Sequence, residues 1–228
     1  STPAKRMSTS LDEVNRVLGG GLLPGSLILL GGSPGVGKST LSLHICSGLN
    51  QKVLYFSAEE SEEQVAIRAR RLKVKTENLF LSGESELNGI ITHIDRMEPK
   101  FIIVDSIQTI FNSELDSLPG SPSQIKDCGQ KFLEVAKSKN TTVLIVGHVT
   151  KEGTIAGPKM LEHLVDTVLY LEGDERYDHR ILRSTKNRFG ATHEVGIFQM
   201  DASGLSEIQN PSEIFLEERS IDVSGTCI

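Results

Sequence analysis

Gly32-Ser33-Pro34-Gly35-Val36-Gly37-Lys38-Ser39 fits the pattern G-x-x-x-x-G-K-[ST] without a mismatch. The apolar run before it, Leu27-Ile28-Leu29-Leu30, reads as a buried strand. Thr40 to Leu49 follows, with Leu41, Ile45 and Leu49 on one helical face. A glycine-rich loop between a strand and a helix curls backbone N–H groups around phosphate oxygens. The new helix adds the partial positive charge of its N-terminus. On this reading Gly32, Ser33, Pro34, Gly35, Val36, Gly37, Lys38, Ser39 and Thr40 bind a nucleotide. Lys38 is also catalytic, placing a full charge on the β/γ-phosphates, and Ser39 reaches Mg²⁺. A turn that only packed would have no use for Lys and Ser after its last glycine.

Elements alternate outward from this loop. Leu11 to Leu18 reads as a helix with capping-box spacing between Ser10 and Glu13, stopped by Gly19-Gly20-Gly21. Val53 to Ser57 is a strand, and Ser61 opens a helix by a capping box with Gln64. Its basic run Arg68, Arg70, Arg71 and Lys73 reads as a solvated face. Leu79 to Leu81 is a strand, Glu86 to Met97 a helix and Phe101 to Asp105 a strand. Ser121 caps the next helix, with Pro122 in its first turn and Gln124 reciprocating. Thr142 to Gly147 is a strand that ends at His148, and Lys159 to Leu164 is a short helix. Thr167 to Leu171, Arg180 to Thr185 and Glu194 to Met200 close the chain as strands, with a short helix from Pro211 allowed. Such alternation predicts an α/β fold, a mostly parallel twisted sheet with helices on both faces and an antiparallel C-terminal edge. One domain is expected over residues 8–219, with 1–7 and 220–228 as flexible ends that read as cut edges.

Bulk properties narrow the class. A chain of 228 residues, 38% hydrophobic and 24% charged, suffices for one large α/β core. The net charge of −6 argues against nucleic-acid binding by overall charge and leaves only a local patch. Cys46, Cys128 and Cys227 are scattered, which gives neither a disulfide framework nor a zinc site and favours a reducing, cytoplasmic setting. No apolar run approaches the roughly 18 residues of a membrane span. No apolar h-region follows Lys5 and Arg6, so no signal peptide is read.

Ligands collect at the carboxyl ends of the strands in such sheets. Glu59, Asp105 and His148 all fall at predicted strand ends beside the loop. Asp105 is the expected metal anchor. Hydrolysis needs a carboxylate that positions or deprotonates the attacking water. Glu59 is chosen, with Glu60 assisting, because two adjacent acids would repel if both were buried. His148 is placed to sense the γ-phosphate and to move the loop after it.

Several stretches together resemble one family. They are the phosphate loop, the two glutamates, Ile103-Val104-Asp105-Ser106-Ile107-Gln108, Gly147-His148-Val149-Thr150-Lys151-Glu152-Gly153 and, most specifically, Lys186-Asn187-Arg188-Phe189-Gly190. The chain looks like the RecA-like ATPase core of the bacterial RadA (Sms) family of DNA repair and recombination proteins. The resemblance implies ATP and Mg²⁺ as cofactors, a homo-hexameric ring around DNA, single-stranded or branched DNA as substrate, and a recombinase of the RecA type as partner. Lys186, Asn187 and Arg188 then lie in a tight polar turn, reaching a neighbour's γ-phosphate or DNA. The loops after Asp105 and His148 correspond to DNA-touching loops. The first, Phe111 to Ser123, is acidic, so Lys151 and Lys159 of the second are the candidate DNA contacts. A regulatory ATPase of the circadian-clock KaiC type, assembling on protein partners, is the competing reading; the acidic balance favours it, and the K-N-R-F-G turn favours the first.

Overall fold

The computed structural model describes residues 4–149, 156–173 and 178–208. Its elements run α1 (Asp12–Val17), β1 (Leu27–Gly32), α2 (Lys38–Ser47), β2 (Val53–Ser57), α3 (Glu62–Arg71), β3 (Leu79–Ser82), α4 (Leu87–Met97) and β4 (Phe101–Asp105). A 3₁₀ turn at Ile107–Thr109 leads to α5 (Pro122–Lys139), β5 (Thr142–His148), α6 (Ala156–Leu161), β6 (Thr167–Gly173), β7 (His179–Asn187), β8 (Val195–Asp201) and β9 (Gly204–Glu207). Among the described residues these strands form one sheet in the order β3-β2-β4-β5-β1-β6-β7-β8-β9. It is parallel from β3 to β6 and antiparallel from β6 to β9, as the alternation of elements predicts.

Strand β1 lies between β5 and β6 and is buried along its whole length. Ile28 and Leu30 face a core that includes α1, α2 and α3, whereas Leu27 and Leu29 face one built on α4, α5 and α6. Continuous apolar runs, without polar alternation, are what a parallel strand covered on both faces requires. No described helix is long and apolar enough to cross a membrane.

Local chemistry agrees with the sequence at several ends and departs from it at others. The Ser61–Gln64 capping box forms in both directions. The one expected at Ser10 does not. Asn15 instead reaches back to the Thr9 N–H and hydroxyl at 2.9 Å each. Glu13 is taken by Arg16 and by the backbone N–H of Ile197. Ser121 starts α5 with Pro122 behind it, but its hydroxyl makes no cap. Gln124 is drawn inward, where it accepts from the Asn112 N–H at 2.7 Å and donates to the Asn112 and Ser117 carbonyls. A glutamine with three partners in a loop to satisfy does more there than at a helix end. The helix expected over Lys159 to Leu164 runs earlier, as α6, and β9 was not read from the sequence. Arg6 and Met7, expected in a flexible end, are tied down. Met7 pairs with Leu22 in both directions at 2.8 Å, and Arg6 donates to the carbonyls of Leu18, Gly21 and Phe189. The helix expected from Pro211 lies outside the described residues.

Candidate nucleotide site

Register brings the predicted residues to one edge of the sheet. Gly32 of β1 pairs with His148 of β5, and Ser57 of β2 pairs with Asp105 of β4. Pro34 and Gly35 form the exposed tip of the loop, and Thr40 is half-buried in the first turn of α2. Gly37 begins α2 at φ 111°, a left-handed conformation, and a Cβ there would lie 2.4 Å from Met200 Cε. The conformation requires glycine, while the flexible end of Met200 could yield to a side chain. The Lys38 side chain is buried and its Nζ donates to the carbonyls of Gly32 at 2.7 Å and Ser33 at 2.8 Å, spanning its own loop. Burial lowers this ammonium to about 8, against the opposing pull of Asp105 and Glu59.

Asp105 Oδ2 accepts two hydroxyls, Ser39 Oγ at 2.5 Å and Tyr55 Oη at 2.5 Å. Tyr55 was not singled out from the sequence. The signal was there: a tyrosine in a strand buried on both faces must find a partner for its hydroxyl. Burial, followed by the charge and hydrogen bond of Asp105, pushes its phenol well above the ordinary value. The Asp105–Ser106 peptide is cis.

Glu59 is the centre of a second group. It accepts from Ser106 Oγ, and His148 Nε2 lies 2.9 and 3.1 Å from its two oxygens. A carboxylate only accepts, so Nε2 carries the proton. Burial would raise the Glu59 carboxyl; the Ser106 and His148 hydrogen bonds and the charges of His148 and Lys38 outweigh it and hold the carboxyl below its ordinary value. His148 Nδ1 is buried with no hydrogen-bond partner among the described residues. Gln108 donates to the His148 carbonyl at 3.1 Å, a contact the sequence did not foretell. Glu60, expected to assist Glu59, faces elsewhere: both its oxygens are taken by Arg68 Nη2, at 2.5 and 2.6 Å. Arg68, read as part of a solvated face, is therefore a paired residue.

These residues suit a magnesium nucleotide. Mg²⁺ prefers hard oxygen ligands and is held by one or two carboxylates, substrate phosphates and waters. Ser39 and Asp105 offer two such oxygens in contact at the loop, and no group of three or more His, Cys, Asp or Glu side chains among the described residues would hold a metal by itself. Ser39 and Asp105 are the residues that would hold the ion, which when bound neutralises charge on the phosphates.

The K-N-R-F-G segment lies elsewhere. Lys186 and Asn187 belong to β7, not to the turn, and only Arg188 to Gly190 turn. The register of β6 against β7 shifts between Val168 and Leu169, where Ser184 and then Lys186 are paired, so Thr185 is an extra residue. Such a bulge re-aims the side chain that follows. Lys186 thereby joins the face of Val168, and its Nζ donates to the Glu162 carbonyl at 2.8 Å. There it lines a cavity of about 660 Å³ with Lys159, His163 and Tyr170. Asn187 accepts from the Phe189 N–H at 3.0 Å, shaping the turn. Arg188 pairs at 3.0 Å with Asp166, a fully buried carboxylate that also takes Lys137 Nζ at 2.7 Å and the Leu27 N–H at 2.9 Å. Leu27 begins β1 and Gly32 ends it, so Arg188 sits at the opposite end of that strand from its own phosphate loop. Lys159 is exposed on α6, and Lys151 lies outside the described residues.

Similarity to known proteins agrees with the fold. A family model described as an AAA domain matches residues 1–154. The chain is 51% identical over 231 residues to the DNA repair protein RadA of Listeria monocytogenes serovar 1/2a, covering 100% of this chain and 50% of that protein. It is 52% identical over 226 residues to the protein of the same name from Bacillus subtilis strain 168, covering 98% of this chain and 49% of that one. It is 49% identical over 230 residues to that of Streptococcus pneumoniae R6, covering 100% and 55%. The chain thus spans about half the length of these relatives. The crystal structure of the RadB recombinase shares the fold, with a TM-score of 0.68 at 22% identity over 89% of this chain and 100% of that one. The chain belongs to the AAA-domain family of ATPases and is a homologue, over about half their length, of the DNA repair proteins named RadA.

Proposed function

We propose that this chain is the ATP-hydrolysing core of a DNA-binding motor that mediates recombination on single-stranded or branched DNA during repair. The observation that carries the reading is the meeting of Ser39–Asp105 with Glu59–His148 at the carboxyl edge of the sheet. Glu59 orients and deprotonates the attacking water, and its depressed pKa keeps it ionised for that task. Lys38 exchanges two loop carbonyls for phosphate oxygens. His148, whose Nδ1 has no partner among the described residues, senses the γ-phosphate and passes its state to the loop that follows. Lys186 and Arg188 act on a neighbour's nucleotide in a hexameric ring or on DNA, with Asn187 shaping their turn. DNA is met by the loop after Asp105 and by Lys151 and Lys159. The protein works in the cytoplasm beside a recombinase of the RecA type.

Two substitutions and one titration test this. Lys38→Ala abolishes nucleotide binding, and Glu59→Gln retains binding while turnover falls at least 100-fold. In the full length typical of its relatives, single-stranded DNA stimulates hydrolysis and binds with a steep salt dependence. Hydrolysis indifferent to DNA would sink the motor reading and favour the regulatory ATPase that assembles on proteins, the alternative suggested by the net charge of −6.

A further inference from the structure

The phosphate loop is braced from outside by the antiparallel half of the sheet. The Gly32 Cα approaches the Leu171 carbonyl of β6 so closely that a Cβ would lie 2.6 Å from it. Gly37 sits as closely on Met200 of β8. Between these contacts, Arg180 of β7 donates from Nε to the Val36 carbonyl at 2.9 Å. Its cross-strand neighbour is Gly173, and a Cβ on Gly173 would lie 2.4 Å from Arg180 Cδ and 2.8 Å from Nε. A glycine thus clears the path by which the guanidinium reaches the loop.

We propose that Arg180 is a positioning residue of the phosphate loop, holding the Val36 carbonyl outward so that the loop is shaped for phosphate before nucleotide arrives. The chemistry favours this. A loop that binds anions turns its N–H groups inward, so its carbonyls need donors outside. A charged donor on a peptide carbonyl makes a stronger bond than a neutral one and polarises that peptide, so its N–H becomes a better partner for an anion. About 20 Å further along, the same strand carries Lys186 and Asn187. Arg180 therefore also ties the chain's own loop to the segment proposed to meet a neighbour. The inference rests on reading Gly32 to Ser39 as a nucleotide site.

The test is the affinity of this chain for MgADP, read with a fluorescent ADP analogue, beside its melting temperature without nucleotide. Arg180→Met weakens binding about tenfold, and Arg180→Lys, which keeps a charged donor, stays within about threefold of the unaltered chain. Gly173→Ala displaces the guanidinium without removing it and weakens binding similarly. Combined with Arg180→Met it adds little, because both act on one contact. Unchanged affinity in Arg180→Met, additive losses, or equal losses in Met and Lys variants that track their melting temperatures would each overturn the proposal. If the unaltered chain itself fails to bind MgADP, the nucleotide reading falls and this proposal with it, a failure visible before any substitution is made.

Discussion

Lys38 shows how one side chain holds a loop ready and titrates within reach of experiment. Buried against its own carbonyls, it loses its proton at about 8, while the unfolded chain keeps it to about 10.4. Between these values the unfolded state binds more protons, so this residue makes stability rise with pH across that window. Below about 8 both states are charged and the contribution is flat. An arriving triphosphate favours the charged form. Nucleotide binding at pH 9 is therefore accompanied by uptake of close to one proton, falling toward zero at pH 7. Calorimetry in buffers of different ionisation enthalpy reads this directly; equal proton uptake at the two pH values would contradict it. Glu59 has the same sign in a lower pH window. Its depressed carboxyl adds stability above its unfolded pKa that is lost as pH falls through the folded one.

At the scale of elements, two serines that look alike in sequence differ in what they do. Ser61 caps α3 through a reciprocal pair, whereas the Ser121 hydroxyl at the start of α5 makes no cap. Ser61→Ala is expected to cost about 1 kcal/mol, lowering the melting temperature by about 2–4 °C, and Ser121→Ala to leave it within about 1 °C. Comparable losses would mean that sequence spacing alone predicts the cap. The difference marks what the sequence could tell. Val53–Ser57 and Phe101–Asp105 were legible to the residue, because a strand buried on both faces is an unbroken apolar run ended by something polar. The phosphate loop was legible because its glycines, lysine and serine serve local needs. Three things depended on distant partners and were hidden. The Gln124 side chain turned to Asn112 and Ser117, Glu60 turned to Arg68, and the extra residue at Thr185 moved Lys186 out of the turn.

At the scale of the whole molecule, the two ends of β1 divide the labour. Its carboxyl end carries the phosphate loop, and its start is gripped by Asp166, which holds Arg188 on one oxygen and Lys137 on the other. Arg188 therefore cannot serve its own loop, and any role at a nucleotide is played across a subunit boundary. Mixing Arg188→Ala subunits with Glu59→Gln subunits, each near-inactive alone, restores part of the hydrolysis, since some interfaces then combine an intact base with an intact arginine. Turnover no higher than either variant alone would remove the role of Arg188 at a neighbour's site. In the Arg188→Ala variant Lys137 still pairs with Asp166, so the substitution leaves no lone buried charge.

That arrangement also sets how the domain bears load. A pull delivered to the Arg188 turn enters β1 through Asp166, along the strand axis. The hydrogen bonds to β5 and β6 are evenly spaced along that axis and slanted to it. They are strained together, in shear, and cannot be unzipped one after another. A load along the line that joins the Arg188 turn to the phosphate loop is therefore shared by all the hydrogen bonds that flank β1.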